Sequence, residues 1–277
     1  MSSNHYKHGI ALSGGGTRGF AHLGVLKALE EYSVKIDFVA GTSAGAIAGV
    51  LYASGMAPEE IHNLIKARNV LSFTRMLLPR QGLFTLDGLA EFLQQHVEEK
   101  NLEELPLPLT VTATNLNEGR VEYFSEGPIV EAVIASASIP VIFSPVKIGS
   151  SEYCDGGVYD NLPSIYLKSQ CEKIIGVNIS PIEVTHEKLS LLDIASRSFQ
   201  LGVNANVVSS ITACDLYIEP TDIRKYGLLD TTLADDIFTS GYEAGKQALD
   251  LGLDKFLEPN HWFDRFIWNI KKQLAIN

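Results

Sequence analysis

A chain of 277 residues, 45% of them hydrophobic, fits one large α/β domain or two small ones and can fill a sizeable core. Its net charge of −11, with a pI near 5.1, excludes tight nucleic-acid binding and electrostatic docking on anionic membranes, and leaves hydrophobic contact with lipid open. No stretch approaches the roughly 18 apolar residues of a membrane-spanning helix.

Met1 to His8 has no apolar h-region behind it, so no signal peptide is expected. Gly9-Ile10-Ala11-Leu12 reads as a short buried strand. It ends in Ser13-Gly14-Gly15-Gly16-Thr17-Arg18-Gly19, after which Phe20, Leu23, Val25, Leu26 and Leu29 recur at helical spacing. A second apolar run, Ile36 to Ala40, ends in Gly41-Thr42-Ser43-Ala44-Gly45, and the helix pattern that follows stops at Ser54-Gly55. Pro58-Glu59-Glu60 starts a helix to about Arg68, with Pro near N1 and acids in the first turn. The apolar segment Phe73 to Phe84, carrying arginines and broken by Pro79 and Gly82, reads as a buried loop or as a lid over a lipid entry.

Residues 86–99 read as a helix and Leu107 to Asn115 as a strand. Asn117-Glu118-Gly119 then turns a hairpin back through Val121 to Phe124. A small-residue helix from Ile129 to Ala137 is stopped by Pro140. Val141 to Phe143 and Val146 to Ile148 are extended, and Glu152-Tyr153-Cys154 leads into Asp155-Gly156-Gly157. Lys173 to Ser180 is a parallel-type core strand, Leu189 to Ile211 holds one or two helices, and Asp215 to Glu219 is a last strand. The three cysteines, Cys154, Cys171 and Cys214, read as reduced buried thiols of a cytosolic protein, and no Cys/His cluster has zinc-ligand spacing. In residues 260–277, Trp262, Phe263, Phe266, Ile267, Ile270 and Leu274 share one stripe. That tail is a helix packed on the domain, or a face for a membrane surface or a dimer. Strands and helices alternate throughout and no linker divides them, so residues 1–277 are expected to be one α/β domain with this amphipathic tail.

The two glycine turns carry the chemistry. Gly41 to Gly45 spells G-x-S-x-G, the nucleophile-elbow pattern, in which a sharp turn exposes the Ser43 hydroxyl. The first turn offers backbone N–H groups at a helix N-terminus. A nucleophile and an oxyanion hole are the two parts an acyl hydrolase needs. Taken alone, Ser43 could be a small residue in a tight turn, Asp155 the Asp of a type I turn, and Arg18 an exposed helix residue. Gly14, Gly16 and Gly19 also spell the dinucleotide-binding G-x-G-x-x-G. That pattern wants an acid at the end of the second strand, and Asp37 stands at its start. A Ser–acid–His hydrolase would need His186 or His261, and several strands ahead of its elbow, whereas Ser43 follows the second strand.

Taken together, G-G-G-x-R-G, G-T-S-A-G, Ser136-Ala137-Ser138-Ile139-Pro140 and Asp155-Gly156-Gly157, in this order over residues 9–163, resemble the patatin-like phospholipase family. The resemblance implies a three-layer α/β/α fold with a mainly parallel sheet. It also implies a serine lipid acyl hydrolase that cleaves carboxylic esters of phospholipids or other acyl lipids, with no metal or cofactor. Ser43 would be the nucleophile and Asp155 the base. Gly14, Gly15, Gly16, Thr17, Arg18 and Gly19 would form the oxyanion loop, with Gly41, Gly45, Gly156 and Gly157 supporting the elbow and the acid. His22 would line the site without moving a proton. Ser13 departs from plant patatins, which tend to have Asp there. Asp160-Asn161-Leu162-Pro163 reads as a structural helix cap. The partner implied is an acyl lipid, with peripheral membrane contact from a cytoplasmic location and no nucleic acid.

Overall fold

The computed structural model describes residues 6–68, 73–76, 84–182, 184, 189–228 and 232–258. Its elements in chain order are β1 (Tyr6–Leu12), α1 (Phe20–Glu31), β2 (Phe38–Thr42), α2 (Ala44–Ala53), α3 (Pro58–Lys66), the short β3 (Arg75–Met76) and β4 (Phe84–Thr85), α4 (Asp87–His96), β5 (Leu109–Asn115), β6 (Arg120–Phe124), α5 (Ile129–Ala137), β7 (Val146–Ile148), β8 (Ser151–Asp155), α6 (Ser164–Leu167), β9 (Cys171–Val177), α7 (Leu191–Ile211), β10 (Leu216–Ile218) and α8 (Ala234–Leu257).

Five strands run parallel in the order β10-β9-β1-β2-β5, and β6, β7 and β8 join antiparallel beyond them. Successive strand residues face opposite sides. Ile10, Leu12 and Val39 therefore enter the main core with α1, α2, α4, α5 and α8, while Ala11, Phe38 and Ala40 meet Leu162, Leu167 and Val207 on the other face, under α6 and α7. The sheet lies between two helical layers, as a three-layer α/β/α architecture requires.

Register places the site. Leu12 is level with Gly41 and with Val177, so β1, β2 and β9 end together and release their turns at one sheet edge. On β5, Thr112 pairs with Thr42 and the next residue, Ala113, pairs with Asp155. Because β6 covers Val111 to Asn115 from the opposite side, β2 and β8 share one edge of β5 and meet there end to end. Residues 43 and 155 are thus neighbours through strand pairing alone.

Most expected elements are present, with shifted ends. β2 lies two residues later than the run Ile36–Ala40, and residues 189–211 hold one helix. Val141 to Phe143 forms no strand: Val141 has φ 73 and Phe143 makes one isolated bridge to Phe84. The sequence pattern left α8 unassigned, although it is 24 residues long. Its buried side includes Gly241 and Gly245, where an added Cβ would fall 2.1 Å from the Ala21 carbonyl and 2.9 Å from the Ala28 Cβ. A Cβ on Gly24 of α1 would fall 2.1 Å from the Phe238 carbonyl. The two helices therefore touch through glycines, which hide the apolar period. The three cysteines are free thiols, two of them buried. No helix among the described residues is long and apolar enough to cross a membrane. Residues 77–83 of the expected loop or lid, and the tail from 260 to 277, lie outside the described residues.

Candidate active site

Ser43 stands at φ 52 and ψ −117, between β2 and α2. A non-glycine residue at positive φ is strained by roughly 1–3 kcal/mol and persists only where its surroundings hold it. Two things hold it here. The flanking glycines allow close packing: a Cβ on Gly45 would lie 2.1 Å from the Leu12 carbonyl, and one on Gly41 would lie 2.5 Å from the Gly45 carbonyl. The Ser43 N–H also donates to the Ser136 hydroxyl at 2.8 Å, and that hydroxyl donates to the Thr112 carbonyl at 2.6 Å.

Asp155 ends β8 and is 2% exposed. Its N–H donates to the Ser138 carbonyl at 2.8 Å. Its carboxylate accepts the Gly157 N–H at 2.7 Å and lines one cavity with Ser43. Burial pushes this carboxyl up to about 6, while the Ser43 hydroxyl and the Gly157 N–H pull the other way. Gly156 is needed for the approach, since a Cβ there would fall 2.3 Å from the Thr112 carbonyl. Residues 136–138, noted in the sequence without a role, thus brace both Ser43 and Asp155. Ser136 is fully buried on a helix of small residues, and the signal in the sequence was a serine set within that apolar pattern.

The glycine turn presents amides. Gly14 N–H donates to the Asn161 carbonyl at 3.2 Å and Thr17 N–H to the Leu228 carbonyl at 2.9 Å, so neither is free for a ligand. Among the described residues no carbonyl accepts from Gly15 or Gly16 N–H. Gly16 sits at φ 59 with the Leu228 carbonyl 2.2 Å from where a Cβ would be. The turn is tethered from outside. Arg18, buried, donates from Nε to the Tyr226 carbonyl at 2.8 Å and from Nη2 to the Arg224 carbonyl at 3.2 Å. It is a clamp on that loop, not an exposed helix residue. Thr17 Oγ1 donates to the Gly227 carbonyl at 2.9 Å. Ser13, where plant patatins tend to carry Asp, accepts the Ile179 N–H at 2.9 Å through its hydroxyl.

His22 is fully buried, its Nε2 2.8 Å from the Ser13 carbonyl, and burial lowers it to about 4. The neutral ring therefore donates to that carbonyl and steadies the turn. No described histidine lines the cavities at Ser43, and His186 and His261 lie outside the described residues. Asp160 and Asn161 differ from the expected cap: α6 has Pro163 at its N-cap and no side-chain cap. Asp160 instead accepts the Tyr123 hydroxyl at 2.7 Å. Asn161 ties Gly14 to Ser180 through its carbonyl and its Nδ2.

Two cavities meet at Ser43. One, of about 620 Å³, is mixed in character and is bordered by Gly15, Gly16, Asp155, Asn161 and Gln200. The other, of about 150 Å³, is walled almost wholly by apolar groups, among them Phe20, Ile47, Leu89, Phe92 and Phe143. Phe73, from the expected loop or lid, lines this second cavity.

A family model described as patatin-like phospholipase matches residues 10–167. An uncharacterised NTE-family protein of Mycobacterium tuberculosis is 33% identical over 156 residues, which cover 56% of this chain and 43% of that protein. Lysophospholipase nte1 of Aspergillus fumigatus is 29% identical over 87% of this chain and 18% of its own length. The chain thus spans less than half of these relatives. Among solved structures, VipD of Legionella pneumophila shares the fold with a TM-score of 0.52 at 18% identity, over 90% of this chain and 67% of VipD. Matched over more than half its length, with the family's sequence blocks gathered at one sheet edge, the chain belongs to the patatin-like phospholipase family.

Proposed function

We propose that this chain hydrolyses carboxylic esters of phospholipids or related acyl lipids by acyl transfer through Ser43, with Asp155 as its base. The observation that carries the reading is the buried Asp155 carboxylate set by strand pairing beside a serine held at φ 52, both on one cavity. Asp155 takes the Ser43 proton as Oγ attacks the ester carbonyl carbon. The Gly15 and Gly16 N–H groups receive the oxyanion. As the tetrahedral adduct collapses, the C–O bond to the alcohol breaks and the proton on Asp155 passes to the leaving oxygen. Water, deprotonated by Asp155, then attacks the acyl-Ser43 ester, the proton returns to Oγ, and the fatty acid leaves. A carboxyl raised to about 6 suits this work, because a base is most effective when its pKa lies near the working pH.

The apolar cavity beside Ser43 supports an acyl chain as occupant, and the wider cavity the remainder of the lipid. A fungal relative is named a lysophospholipase, so monoacyl glycerophospholipid is the first substrate to try. The test is fatty-acid release from lysophosphatidylcholine, phosphatidylcholine and a neutral monoacylglycerol by purified protein and by Ser43→Ala. Release that requires Ser43 is expected. Folded protein that releases no fatty acid from any of them would overturn the reading.

A further inference from the structure

Helix α7 covers the thinner side of the sheet, and its outer face is apolar. Leu191, Ile194, Leu201 and Val208 are 82%, 50%, 52% and 63% exposed, and their spacing sets them along one stripe of the helix. From Ser198 to Ile211 there is no ionisable side chain, on a chain with a net charge of −11. A surface helix ordinarily turns charged residues outward. The stripe also has neighbours. Asn206 donates from Nδ2 to the Gly157 carbonyl at 2.8 Å, which seats the partly exposed Val158 and Tyr159 against α7. Val184, 77% exposed, lies on the rim of the cavity that contains Ser43. The other side of α7, through Phe199, Gln200 and Val203, is a wall of that same cavity. The apolar surface is therefore continuous with the mouth of the site, and apolar surface of this extent marks an interaction face.

A second copy of the chain fits this face poorly. A stable protein interface needs about 800 Å² from each partner, and one stripe on a helix roughly 32 Å long supplies only part of that. Ser198 and Ala205 interrupt the large residues and leave the stripe without knobs at two of its six positions. A lipid surface needs no complementary knobs and accepts an apolar stripe that carries one cation, Arg197, between Ile194 and Leu201. We propose that the outer face of α7, with Val158, Tyr159 and Val184, is the surface by which this protein lies on neutral or zwitterionic lipid, with the cavity rim turned towards it. The proposal rests on the acyl-hydrolase reading for its purpose, since the substrate would enter from that surface.

The test uses phosphatidylcholine vesicles and the full chain carrying Leu201→Glu and Val208→Glu, two exposed positions outside both cavities. Co-sedimentation with vesicles and hydrolysis of vesicle lipid should each fall on the order of tenfold or more. Hydrolysis of a soluble p-nitrophenyl ester should stay unchanged, and sedimentation velocity should show the same oligomeric state as the parent. Leu191→Ser with Ile194→Ser, a milder pair, should weaken vesicle binding in the same direction. Unchanged vesicle binding by both variants overturns the proposal. So does a variant that dissociates from a dimer while still binding vesicles, because a second copy would then be the occupant. Binding is also read on Ser43→Ala protein. The lipid-contact face can then fail while hydrolysis stands, and missing hydrolysis leaves the binding result intact.

Discussion

The elbow at Ser43 and the glycine turn after β1 leave adjacent parallel strands at the same level, yet they are held in opposite ways. The elbow is held mainly by close backbone packing: Gly41 and Gly45 let strand and helix close on the neighbouring backbone, and a single distant side chain, Ser136, pins the Ser43 amide. The glycine turn is held from far along the chain, by Arg18 on the carbonyls of residues 224 and 226, Thr17 on that of 227, and Ser13 on the amide of 179. The difference follows from what each turn presents. A reactive side chain is aimed by the geometry of its own residue. Backbone donors have no rotamer to adjust, so the whole segment must be tethered from outside.

The hardest blow falls on the proposed pair, Ser43 and Asp155. Ser43→Ala and Asp155→Asn should each lower kcat/KM by ~10⁴ or more, with the double variant no worse than either single one. Steady-state kinetics on a short-chain ester, with circular dichroism for folding, reads this; multiplying losses would contradict a dyad. Asp155→Asn should also melt higher than the parent above pH ~6. Folding raises this carboxyl, so the native state holds its proton more tightly than the unfolded chain. Stability is therefore lost as pH climbs from the ordinary carboxylate range through about 6.

The glycine turn should be nearly as sensitive at one point. A Cβ on Gly16 would meet the Leu228 carbonyl at 2.2 Å, so Gly16→Ala must move the loop and its donor. Turnover should fall about 10²–10³-fold with little change in KM. Near-normal turnover in folded Gly16→Ala would remove this turn from the site.

Loosening the tether should cost less than distorting the turn. Arg18→Ala should reduce kcat on the order of 10²-fold by misplacing the Gly15 and Gly16 amides. Arg18→Lys should not restore it, because an ammonium cannot reproduce a planar fork reaching two separate carbonyls. Rescue by lysine would show that charge, not geometry, is what residue 18 supplies.

The smallest effect sharpens the other side of the comparison. Ser136→Ala leaves the buried Ser43 N–H without its acceptor, a loss of about 1–3 kcal/mol in stability. Paired thermal melts and ester kinetics should show kcat falling on the order of tenfold while KM holds. A melting shift with unchanged kcat would make Ser136 a packing residue only.

How much of this was legible in the sequence follows the same division. The elbow, Asp155 and the parallel core could be read because their signals are local: a glycine pattern, a strand end, a run of apolar residues. The tethers could not, because Arg18 and Thr17 meet carbonyls that any residue type would carry. Asn161 was legible only as part of a helix cap, since it holds Gly14 through its main chain. Helix α8 escaped because Gly241 and Gly245 stand where apolar residues would have shown its period. Ser13 replaces an expected Asp and bonds the end of β9 through a hydroxyl, a substitution whose sense appears only when residue 179 is beside it.

The central claim is that the buried Asp155 carboxylate, its pKa raised by burial, activates Ser43. The most direct test is the rate of labelling by a fluorophosphonate probe, followed by peptide mapping from pH ~5 to ~8. The label should sit on Ser43 alone, and its rate should fall about tenfold per pH unit below an apparent pKa near 6. Asp155→Asn should take up almost none. A label on another serine, or a rate at Ser43 that is flat across this range or survives Asp155→Asn, would contradict the account.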